Sequence, residues 1–396
     1  MSLGSQEIIS LFKDAVIPNY TRYPVALVRG EGSCVWDAEG NRYIDFFPGW
    51  GCNMFGHCPK PVVQAVQEQA ARLIHIPNTW YTEEQGMWAK LLSERSFGGQ
   101  AFFCNSGTEA NEAAIKLVRL HQSESGRYKI ITFQGAFHGR TMGSVSATGQ
   151  AKYHKGIEPL LPGFTYVPFG DLAATEEAVD DETAAIMIEP IQGEGGVRIP
   201  PEGFLQGLRQ LCDRKNLLLV FDEVQTGCGR TGHWFAYQHF GVTPDIMTLA
   251  KTICSGFAGA AMLAKREIAP SLRPGMHAAT FGGNPIAAAA GIATIKMVEA
   301  EGLLEKCQVM GEQFKSRLTK MANELDVIQE VRCVGAMIGV ELRVEGAVFV
   351  EACMKKGLLI NCTHGNVIRL LPAVTTAPEM VDEALDILEE TLRKGA

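Results

Sequence analysis

The sequence contains neither a long apolar segment nor an excess of positive charge. Its longest bland apolar run, Ile286–Ile295, is far shorter than the roughly 20 residues that a membrane-spanning helix needs. The net charge of −8 argues against nucleic acid as the main partner, because phosphate binding needs a concentrated basic surface. The start, MSLGSQEIISLFKDAV, lacks the basic and apolar regions of a secretory signal, so none is predicted.

The eleven cysteines include no CxxC pair. Disulfide frameworks and structural zinc sites both need paired cysteines, so neither is indicated. The number is odd and the chain of 396 residues is long, which favours free thiols that act as small core residues in a reducing compartment. The sequence therefore predicts a cytoplasmic protein without a metal site.

Glycine, by contrast, is abundant, with 42 residues in a chain that is otherwise composed like a globular protein. The hydrophobic fraction of 46% excludes disorder and fibrous repeats. The length fits two or three domains, or one large domain with a smaller partner.

Continuous apolar runs alternate with helical segments between residues 51 and 285. Such runs are buried on both faces, which is typical of parallel strands between helices. In these sheets a ligand lies at the carboxyl ends of the strands. The pattern predicts an α/β fold with a large, doubly wound, mostly parallel sheet. The predicted strands are 101–104, 130–133, 184–188, 217–221 and 246–250.

The two ends of the chain have a different pattern. Residues 1–50 are predicted as an N-terminal arm with two short strands. Residues 286–396 combine helices with short strands, which indicates a smaller α+β domain. Its last helix is expected to begin near Pro378, where Thr376 and Glu379 have the spacing of a capping box.

Two of the predicted strands end in residues that can bind an anion or a cation. Residues 105–108, NSGT, precede an Ala-rich helix, where N–H groups and hydroxyls can bind phosphate, although a plain helix N-cap is an alternative. Asp222 and Glu223 end a fully apolar strand. A carboxylate there suits a metal ligand, a catalytic base, the partner of a cationic ligand atom or a solvated helix cap.

A third predicted strand ends at Lys251, which is unusual because lysine is rarely buried. Desolvation favours a neutral amine that can attack a carbonyl, whereas a lysine that reaches solvent would be inert. A phosphate anchor, a strand-end carboxylate and a strand-end lysine together suit pyridoxal 5′-phosphate. The lysine would hold its aldehyde as a Schiff base, and the carboxylate would keep its pyridine nitrogen protonated.

Residues 227–232, GCGRTG, match the GxGxxG fingerprint of dinucleotide-binding proteins. Asp222 and Glu223 would lie close to the pyrophosphate, and three residues separate the strand from the first glycine. The following HWF is also a poor start for a helix. We therefore do not expect a nicotinamide cofactor.

The motifs FCNSGTEANEAA, AFHGR, IEPIQGEGG, FDEVQTGCGRTG, PDIMTLAK and TFGGNP occur in this order. With them the chain resembles the class III (ω-amino) aminotransferases, and most closely their acetylornithine/ornithine branch, from about residue 20 to its end. The resemblance implies a fold type I pyridoxal-phosphate enzyme. It implies a large cofactor-binding domain over 51–285, a small domain formed by 1–50 and 286–396, and a homodimer with a shared active site.

The resemblance also implies roles for residues that match the family motifs. Lys251 would be the Schiff-base lysine and proton shuttle, and Asp222 would pair with the pyridine nitrogen. Gln225 would hydrogen-bond the ring hydroxyl, Phe137 would stack on the ring, and Glu189 would support the site from behind. The other implied cofactor contacts are Ser106, Gly107 and Thr108 at the phosphate, Val224, and Thr280 from the partner subunit.

Three charged residues are implied in substrate binding. Arg140 would bind a substrate carboxylate through its two-pronged guanidinium. Arg369 would bind a second carboxylate, the α-carboxylate of glutamate, and Glu194 would cover Arg369 when the substrate presents an ω-amine. Alternatively, neither residue binds substrate: Arg369 would then be a structural residue of a strand, and Glu194 an ordinary carboxylate in a loop.

Three positions depart from the pattern of this branch and concern the substrate pocket. Ala279 stands before Thr280 where Ser or Thr is usual, and Ala278 replaces a Gly. Trp50 lies where the ornithine type has Tyr and acetylornithine types have a smaller residue. Trp50 either forms a wall of the pocket or packs in the core.

The resemblance implies transfer of the terminal amino group of an N-acylated ornithine, with N2-acetyl-L-ornithine as the first candidate, to 2-oxoglutarate in arginine biosynthesis. Ornithine, succinylornithine, acetyl-lysine-type substrates and 4-aminobutyrate remain open as donors. Two rival functions are a fold type I aminomutase or decarboxylase, and a nucleotide sensor that uses the glycines of 227–232. We expect small-molecule partners and no binding to nucleic acid or membranes.

Overall fold

The computed structural model describes residues 3–395, so the first two residues of the predicted arm and the last residue of the chain lie outside it. Its strands are β1 (Leu27–Glu31), β2 (Cys34–Asp37), β3 (Arg42–Asp45), β4 (Gln100–Cys104), β5 (Lys129–Phe133), β6 (Phe164–Val167), β7 (Thr183–Ile188), β8 (Leu218–Asp222), β9 (Ile246–Leu249), β10 (Ala260–Ala264), β11 (Ile328–Val334), β12 (Met337–Leu342), β13 (Leu358–Leu359), β14 (Asn361–Thr363) and β15 (Val367–Leu370). Its α-helices are α1 (Ser5–Ala15), α2 (Lys60–Arg72), α3 (Glu83–Arg95), α4 (Gly107–His121), α5 (Met142–Ala147), α6 (Leu172–Glu177), α7 (Phe204–Lys215), α8 (Ala236–Phe240), α9 (Pro285–Ala300), α10 (Leu303–Glu324), α11 (Ala347–Lys355) and α12 (Pro378–Lys394).

The central sheet has the strand order β4-β10-β9-β8-β7-β5-β6. All its strands run parallel except β10, which is antiparallel to both neighbours. Every residue of β7, β8, β9 and β10 is buried. Helices cover both faces of the sheet. On β8, for example, Val220 packs in a cluster with residues of α4, and its neighbour Leu219 packs in a cluster with residues of α7. The predicted α/β fold with a doubly wound, mostly parallel sheet is confirmed.

Two strands of this sheet were not among those predicted. β10 consists largely of alanine, and β6 contains Thr and Tyr between its apolar ends. Neither segment therefore has the run of large aliphatic residues that marks the other central strands. The antiparallel strand β10 lies between β4 and β9 and completes the sheet beside the candidate lysine.

The two smaller sheets contain the ends of the chain. In the sheet β1-β2-β3-β13, the C-terminal strand β13 pairs in parallel with β3, so that Leu358 lies opposite Ile44. The sheet β11-β12-β15-β14 is antiparallel. Helix α10 packs on β11 and β12, and α12 packs on α10 and α11.

The last helix, α12, begins at Pro378, and no side chain caps its N-terminus. Thr376 Oγ1 instead donates to the carbonyl of Ala373 at 2.5 Å and lies 2.6 Å from Ser33 Oγ. The predicted capping box of Thr376 with Glu379 is therefore wrong, because this hydroxyl joins the C-terminal segment to the N-terminal arm.

Candidate active site

The candidate site lies at one edge of the central sheet. Strands β4, β5, β7, β8 and β9 share one direction, so their carboxyl ends meet at this edge. The residues at or just beyond these ends are Ser106, His138, Glu189, Asp222 and Lys251. The phosphate-site residues, the carboxylate and the lysine predicted at strand ends therefore lie at the same edge of the sheet.

Asp222 is the last residue of β8 and is only 3% exposed. Its Oδ2 accepts hydrogen bonds from His138 Nδ1 at 2.7 Å and from Asn111 Nδ2 at 2.8 Å. Its Oδ1 accepts from the N–H of Val224 at 3.0 Å. Thr248 Oγ1 in turn donates to Asn111 Oδ1 at 2.7 Å. This buried network holds the carboxylate in one orientation.

His138 and Asn111 were not singled out in the sequence, although both lie inside the motifs AFHGR and FCNSGTEANEAA. Burial alone would lower the pKa of His138. The hydrogen bond and charge of Asp222, together with the charge of Glu189, outweigh burial and raise the pKa of His138 above its usual value. The surroundings of His138 therefore favour its protonated form, whose charge offsets part of the negative charge buried at this edge.

Glu189 is buried just beyond β7 and joins two loops of the site. Its Oε2 accepts from the N–H of Phe137 at 3.0 Å, and its Oε1 accepts from the N–H of Gly193 at 3.2 Å. Burial raises the pKa of Glu189 to about 7, with His138 opposing and Asp222 adding to the shift. The loop after β5 and the glycine-rich loop after β7 are thus fixed relative to each other.

Helix α4 begins at the phosphate site predicted from the sequence. Ser106 and Glu109 form a capping box, in which Ser106 Oγ accepts from the Glu109 N–H at 3.4 Å. The N–H groups of Gly107 and Thr108 belong to the first turn, which has no preceding carbonyl to accept from them. A Cβ atom at Gly107 would come within 2.8 Å of Val224. The capping box of Ser106 does not use the N–H groups of Gly107 and Thr108, so the same turn can form a helix cap and still bind an anion.

Lys251 lies two residues beyond β9 with a φ of +51°. Positive φ is uncommon for residues other than glycine, and such strained positions cluster at functional sites. The charge of Lys251 helps to lower the pKa of Glu194 and opposes the effect of burial on the pKa of Cys52. Lys251 is therefore close to the predicted substrate switch.

Arg369 lies on β15, fully buried, beside Glu194. Its Nη1 donates to Glu194 Oε1 at 2.7 Å and to Gln225 Oε1 at 3.2 Å. The guanidinium is 5.2 Å from the ring centroid of Phe47. Burial would raise the pKa of Glu194, but Arg369 outweighs it and lowers that pKa. The structure thus brings together three residues whose roles remain predictions.

Arg140 is exposed and has no ion pair with a carboxylate of residues 3–395. Its guanidinium lies 4.0 Å from the ring centroid of Tyr153 and 5.4 Å from that of Phe137. The two rings pack edge to face at 5.6 Å. Cation–π contacts orient a guanidinium but leave its N–H donors available, which suits recognition of an incoming carboxylate.

Trp50 has a φ of +54° and is 51% exposed. Its ring packs edge to face on Phe47 at 5.7 Å and is 6.2 Å from the ring of Tyr20. A side chain this exposed is not packed in the core of the chain, so that alternative is wrong. Because Phe47 also contacts Arg369, a pocket wall at Trp50 stays a prediction with structural support.

The loop that contains Ala278, Ala279 and Thr280 is held by Asn78. The Asn78 side-chain amide donates to the carbonyls of Ala279 at 3.2 Å and Gly282 at 2.9 Å. Ala279 packs with the cluster that contains Val224 and the end of β4, whereas Ala278 and Thr280 are exposed. The contact of Thr280 with a partner's cofactor remains a prediction.

The side chains at this edge fit the chemistry of pyridoxal phosphate. The first turn of α4 offers N–H donors and a positive helix end to a phosphate. Asp222 supplies an oriented carboxylate, Lys251 an amine and Phe137 an aromatic face. These are the group types that the phosphate, ring nitrogen, aldehyde and ring plane of the cofactor need.

The loop 227–232, which matches GxGxxG, serves a different purpose. Its Arg230 is fully buried, and Nη1 donates to the carbonyls of Ala336 at 3.1 Å and Pro372 at 2.7 Å. Nη2 donates to the carbonyl of Gly51 at 3.2 Å. Helix α8 does not follow the last glycine directly, so the strand–glycines–helix arrangement of a dinucleotide site is missing from this part of the chain.

Within residues 3–395, no group of three or more His, Cys, Asp or Glu side chains is placed to hold a metal ion. Each helix of the described chain is too short or too polar to cross a bilayer. All eleven cysteines are unpaired, and seven of them are buried.

Comparisons with known proteins place the chain among aminotransferases. The family model of class-III aminotransferases matches residues 15–392. The acetylornithine aminotransferase of Caldanaerobacter subterraneus is 49% identical over 389 residues, covering 97% of this chain and 99% of the relative. The solved acetylornithine aminotransferase of Elizabethkingia anophelis has a TM-score of 0.89 at 33% identity, covering 100% of both chains. An ornithine aminotransferase from Toxoplasma gondii, described with partial occupancy of PLP at its active site, has a TM-score of 0.95 at 31% identity, covering 98% of this chain and 94% of that one.

Proposed function

The chain belongs to the class-III aminotransferases, and we propose that it transfers the terminal amino group of N2-acetyl-L-ornithine to 2-oxoglutarate, giving the semialdehyde and L-glutamate. The name of the relative that is 49% identical over nearly the whole chain supports this donor. The ion pair between buried Arg369 and partly exposed Glu194, close to Lys251, carries the proposal. A site that alternates between an ω-amine and a dicarboxylate needs a cation that a neighbouring carboxylate can cover.

The family and the PLP-containing neighbour imply pyridoxal 5′-phosphate as the cofactor. When bound, it supplies an electron sink for a carbanion at the carbon that carries the amino group. Asp222, oriented by His138 and Asn111, would hold the proton on the pyridine nitrogen. Lys251 Nζ would hold the cofactor aldehyde at rest and move the proton that leaves the substrate carbon.

Other side chains at the edge of the sheet would hold the cofactor in place. Residues 106–108 would bind its phosphate at the positive end of α4. Phe137 would stack on the ring, Gln225 would hydrogen-bond the ring hydroxyl, and Glu189 and Val224 would support the ring from the protein side. The fixed loops around Glu189 would keep these groups in register.

Charged residues would bind the two substrates in turn. Arg140, exposed and without an ion pair within residues 3–395, would bind a substrate carboxylate. Arg369 would stay paired with Glu194 while the ω-amino donor is bound, and it would bind the second carboxylate of 2-oxoglutarate or glutamate once Glu194 has moved away. Trp50 and Ala279 would shape the pocket around the donor.

A homodimer and a division into two domains complete the proposal. Phe281, which follows Thr280, is 58% exposed and packs on His75 at 5.1 Å, and Trp80 is 65% exposed, so these apolar side chains are available to a second copy. Covering these side chains with a second copy would bring Thr280 to the partner's phosphate site.

The pairing of β13 with β3 supports a small domain formed by 1–50 and 286–396 beside a large domain over 51–285. The unpaired cysteines support a cytoplasmic location.

Ornithine is the second candidate donor. The high TM-score to the Toxoplasma ornithine aminotransferase and the aromatic residue Trp50 beside Phe47 favour it. A free α-amino group would have to be recognised where an acyl group is otherwise accommodated.

The deciding experiment measures kcat/KM of the PLP-loaded enzyme for N2-acetylornithine, ornithine, N2-succinylornithine and 4-aminobutyrate with 2-oxoglutarate. We expect N2-acetylornithine to give the highest value. A higher value for ornithine or 4-aminobutyrate would replace the proposed donor. If glutamate alone fails to convert the bound cofactor to its amine form, a reaction without 2-oxoglutarate is favoured instead.

A further inference from the structure

Asn361 clamps Arg369 from the side opposite Glu194. Asn361 lies on β14 directly across from Arg369 on β15. Its Oδ1 accepts from Arg369 Nη2 at 2.9 Å and from Arg369 Nε at 3.2 Å. Two donors on one edge of the planar guanidinium therefore share one neutral acceptor, which fixes the plane of the group.

Arg369 donates to three side chains, Glu194, Gln225 and Asn361, and only Glu194 is charged. Arg369 has no exposed side-chain surface, whereas the side chain of Glu194 is 22% exposed. Thr363, also on β14, donates from Oγ1 to the backbone carbonyl of Glu194 at 2.7 Å. The backbone of Glu194 is thus tied to β14 while its side chain is partly exposed, so an incoming carboxylate can displace the Glu194 side chain without moving its backbone.

A buried guanidinium that loses its carboxylate is strongly destabilised unless another anion replaces it. It also gains side-chain freedom unless its remaining hydrogen bonds hold it. Because the amide of Asn361 is neutral, it can orient Arg369 without cancelling the charge that attracts the incoming carboxylate. An acidic residue at this position would compete with that carboxylate.

We propose that Asn361 is the positioning residue that keeps Arg369 oriented when the carboxylate of a dicarboxylic substrate displaces Glu194. This inference rests on the proposed function, and it assigns β14 as the fixed support of the switch. Asn361 contributes to the dicarboxylate half-reaction, in which Glu194 has moved. It contributes little to the half-reaction of the ω-amino donor, in which Glu194 still holds Arg369.

The test is Asn361→Leu, which keeps the size of the side chain and removes the acceptor. Both half-reactions of the PLP-loaded enzyme are followed separately by the cofactor absorbance, with L-glutamate or the ω-amino donor. We expect kcat/KM for glutamate to fall by roughly 10-fold or more, as for a lost hydrogen bond to a charged group, mainly through KM. The ω-amino half-reaction should change by less than about 3-fold. The dissociation constant of glutarate, an unreactive dicarboxylate, should rise in parallel with KM.

Asn366→Leu is the matched control. Asn366 Nδ2 donates to the backbone carbonyl of Leu342 at 2.7 Å in the same region of the small sheet, and its side chain makes no hydrogen bond to Arg369 within the described chain. This variant should leave the ratio of the two half-reactions unchanged. If it shifts that ratio as far as Asn361→Leu does, the proposal is overturned.

Further outcomes separate the inference from the proposed function. Equal losses in both half-reactions, or no loss in either, would overturn the role of Asn361. If Asn361→Leu does not fold, Asn361→Asp keeps an acceptor and adds a competing charge, so it should weaken glutarate binding and spare the ω-amino half-reaction. An Asn361→Asp variant that binds glutarate normally overturns the proposal. A wild-type enzyme that reacts with neither glutamate nor 2-oxoglutarate would instead contradict the proposed function.

Discussion

At the scale of single residues, the site depends on how its charged groups are oriented. Asp222 has both oxygens occupied by donors from His138, Asn111 and Val224. Its position at the end of β8 is encoded by the apolar strand that precedes it, but its orientation is not. The partners come from α4 and from the loop after β5, so only the folded chain brings them together.

The first prediction concerns the charge of Asp222. Asp222→Asn keeps the shape of the side chain and removes the charge that would hold the proton on the cofactor ring. We expect kcat to fall by about 100-fold or more, as for other lost electrostatic stabilisation in active sites. The cofactor should still attach to Lys251, which its absorbance would report.

The matched control is Asp245→Asn. Asp245 is also buried, but it binds Arg209, Lys265 and the N–H of Leu219 at the opposite end of the sheet. That variant should lose stability rather than turnover per folded enzyme. Near-normal turnover of Asp222→Asn would remove the role given to Asp222.

Particular residues show how far the sequence predicts the site. Asp222 and Lys251 stand out because a charged residue ends an apolar run, and this signal survives without a structure. Asn361 has no such signal, since it follows a two-residue strand and acts only through its partner across the sheet. Residues that position others are missed because their role depends on a contact made only in the folded sheet and not on a local sequence pattern.

At the scale of elements, a buried carboxylate defines the start of α8. Glu223 is 1% exposed and accepts hydrogen bonds from the N–H groups of Ala236 at 2.6 Å and Tyr237 at 2.8 Å. Burial raises the pKa of Glu223 from 4.5 to about 7, although these bonds and Thr226 oppose the shift. Helix α8 is only five residues long and therefore depends on this contact.

The second prediction follows from that pKa. Between pH 4.5 and about 7 the folded protein holds a proton on Glu223 that the unfolded chain releases. The stability from this proton is complete at low pH and lost as the pH rises through about 7. Relative to Glu223→Gln, the wild type should therefore lose roughly 2–3 kcal/mol of unfolding free energy from pH 5 to pH 8 in urea titrations.

Glu305→Gln serves as the control for this titration. Glu305 lies in the first turn of α10 and is exposed, so this variant removes a carboxylate that is not buried. A Glu223→Gln variant with the same pH dependence as the wild type would contradict the assignment.

Elements were predictable where local pattern and tertiary environment agree. The strands β5, β7, β8 and β9 each contain a continuous, mainly apolar run and were found to within one position at each end. β10 was missed because it consists largely of alanine and lacks the β-branched and aromatic residues that mark a strand. The capping box at Thr376 failed for the opposite reason, since a plausible local bond lost to a tertiary one with Ser33.

At the scale of the whole molecule, one arginine connects segments that are far apart in sequence. Arg230 binds the carbonyls of Gly51, at the start of the proposed large domain, and of Ala336 and Pro372 in the proposed small domain. Burial lowers the pKa of Arg230 to about 10, and no carboxylate of the described residues pairs with it. The loop that resembles a nucleotide fingerprint thus holds the proposed domains together.

The last prediction tests this connection with Arg230→Met. The change relieves a buried charge but leaves the buried carbonyls of Ala336 and Pro372 without a side-chain donor, each of which costs about 1–3 kcal/mol, whereas Gly51 still accepts from Thr252 Oγ1. We expect a net loss of about 3 kcal/mol in unfolding free energy, measured in urea, and a separation of the unfolding of the two proposed domains. Arg317→Met, which removes surface ion pairs with Asp382, Asp386 and Glu389, should cost about 1 kcal/mol or less. If Arg230→Met is as stable as the wild type and unfolds in one step, the domains are held by their apolar contacts instead.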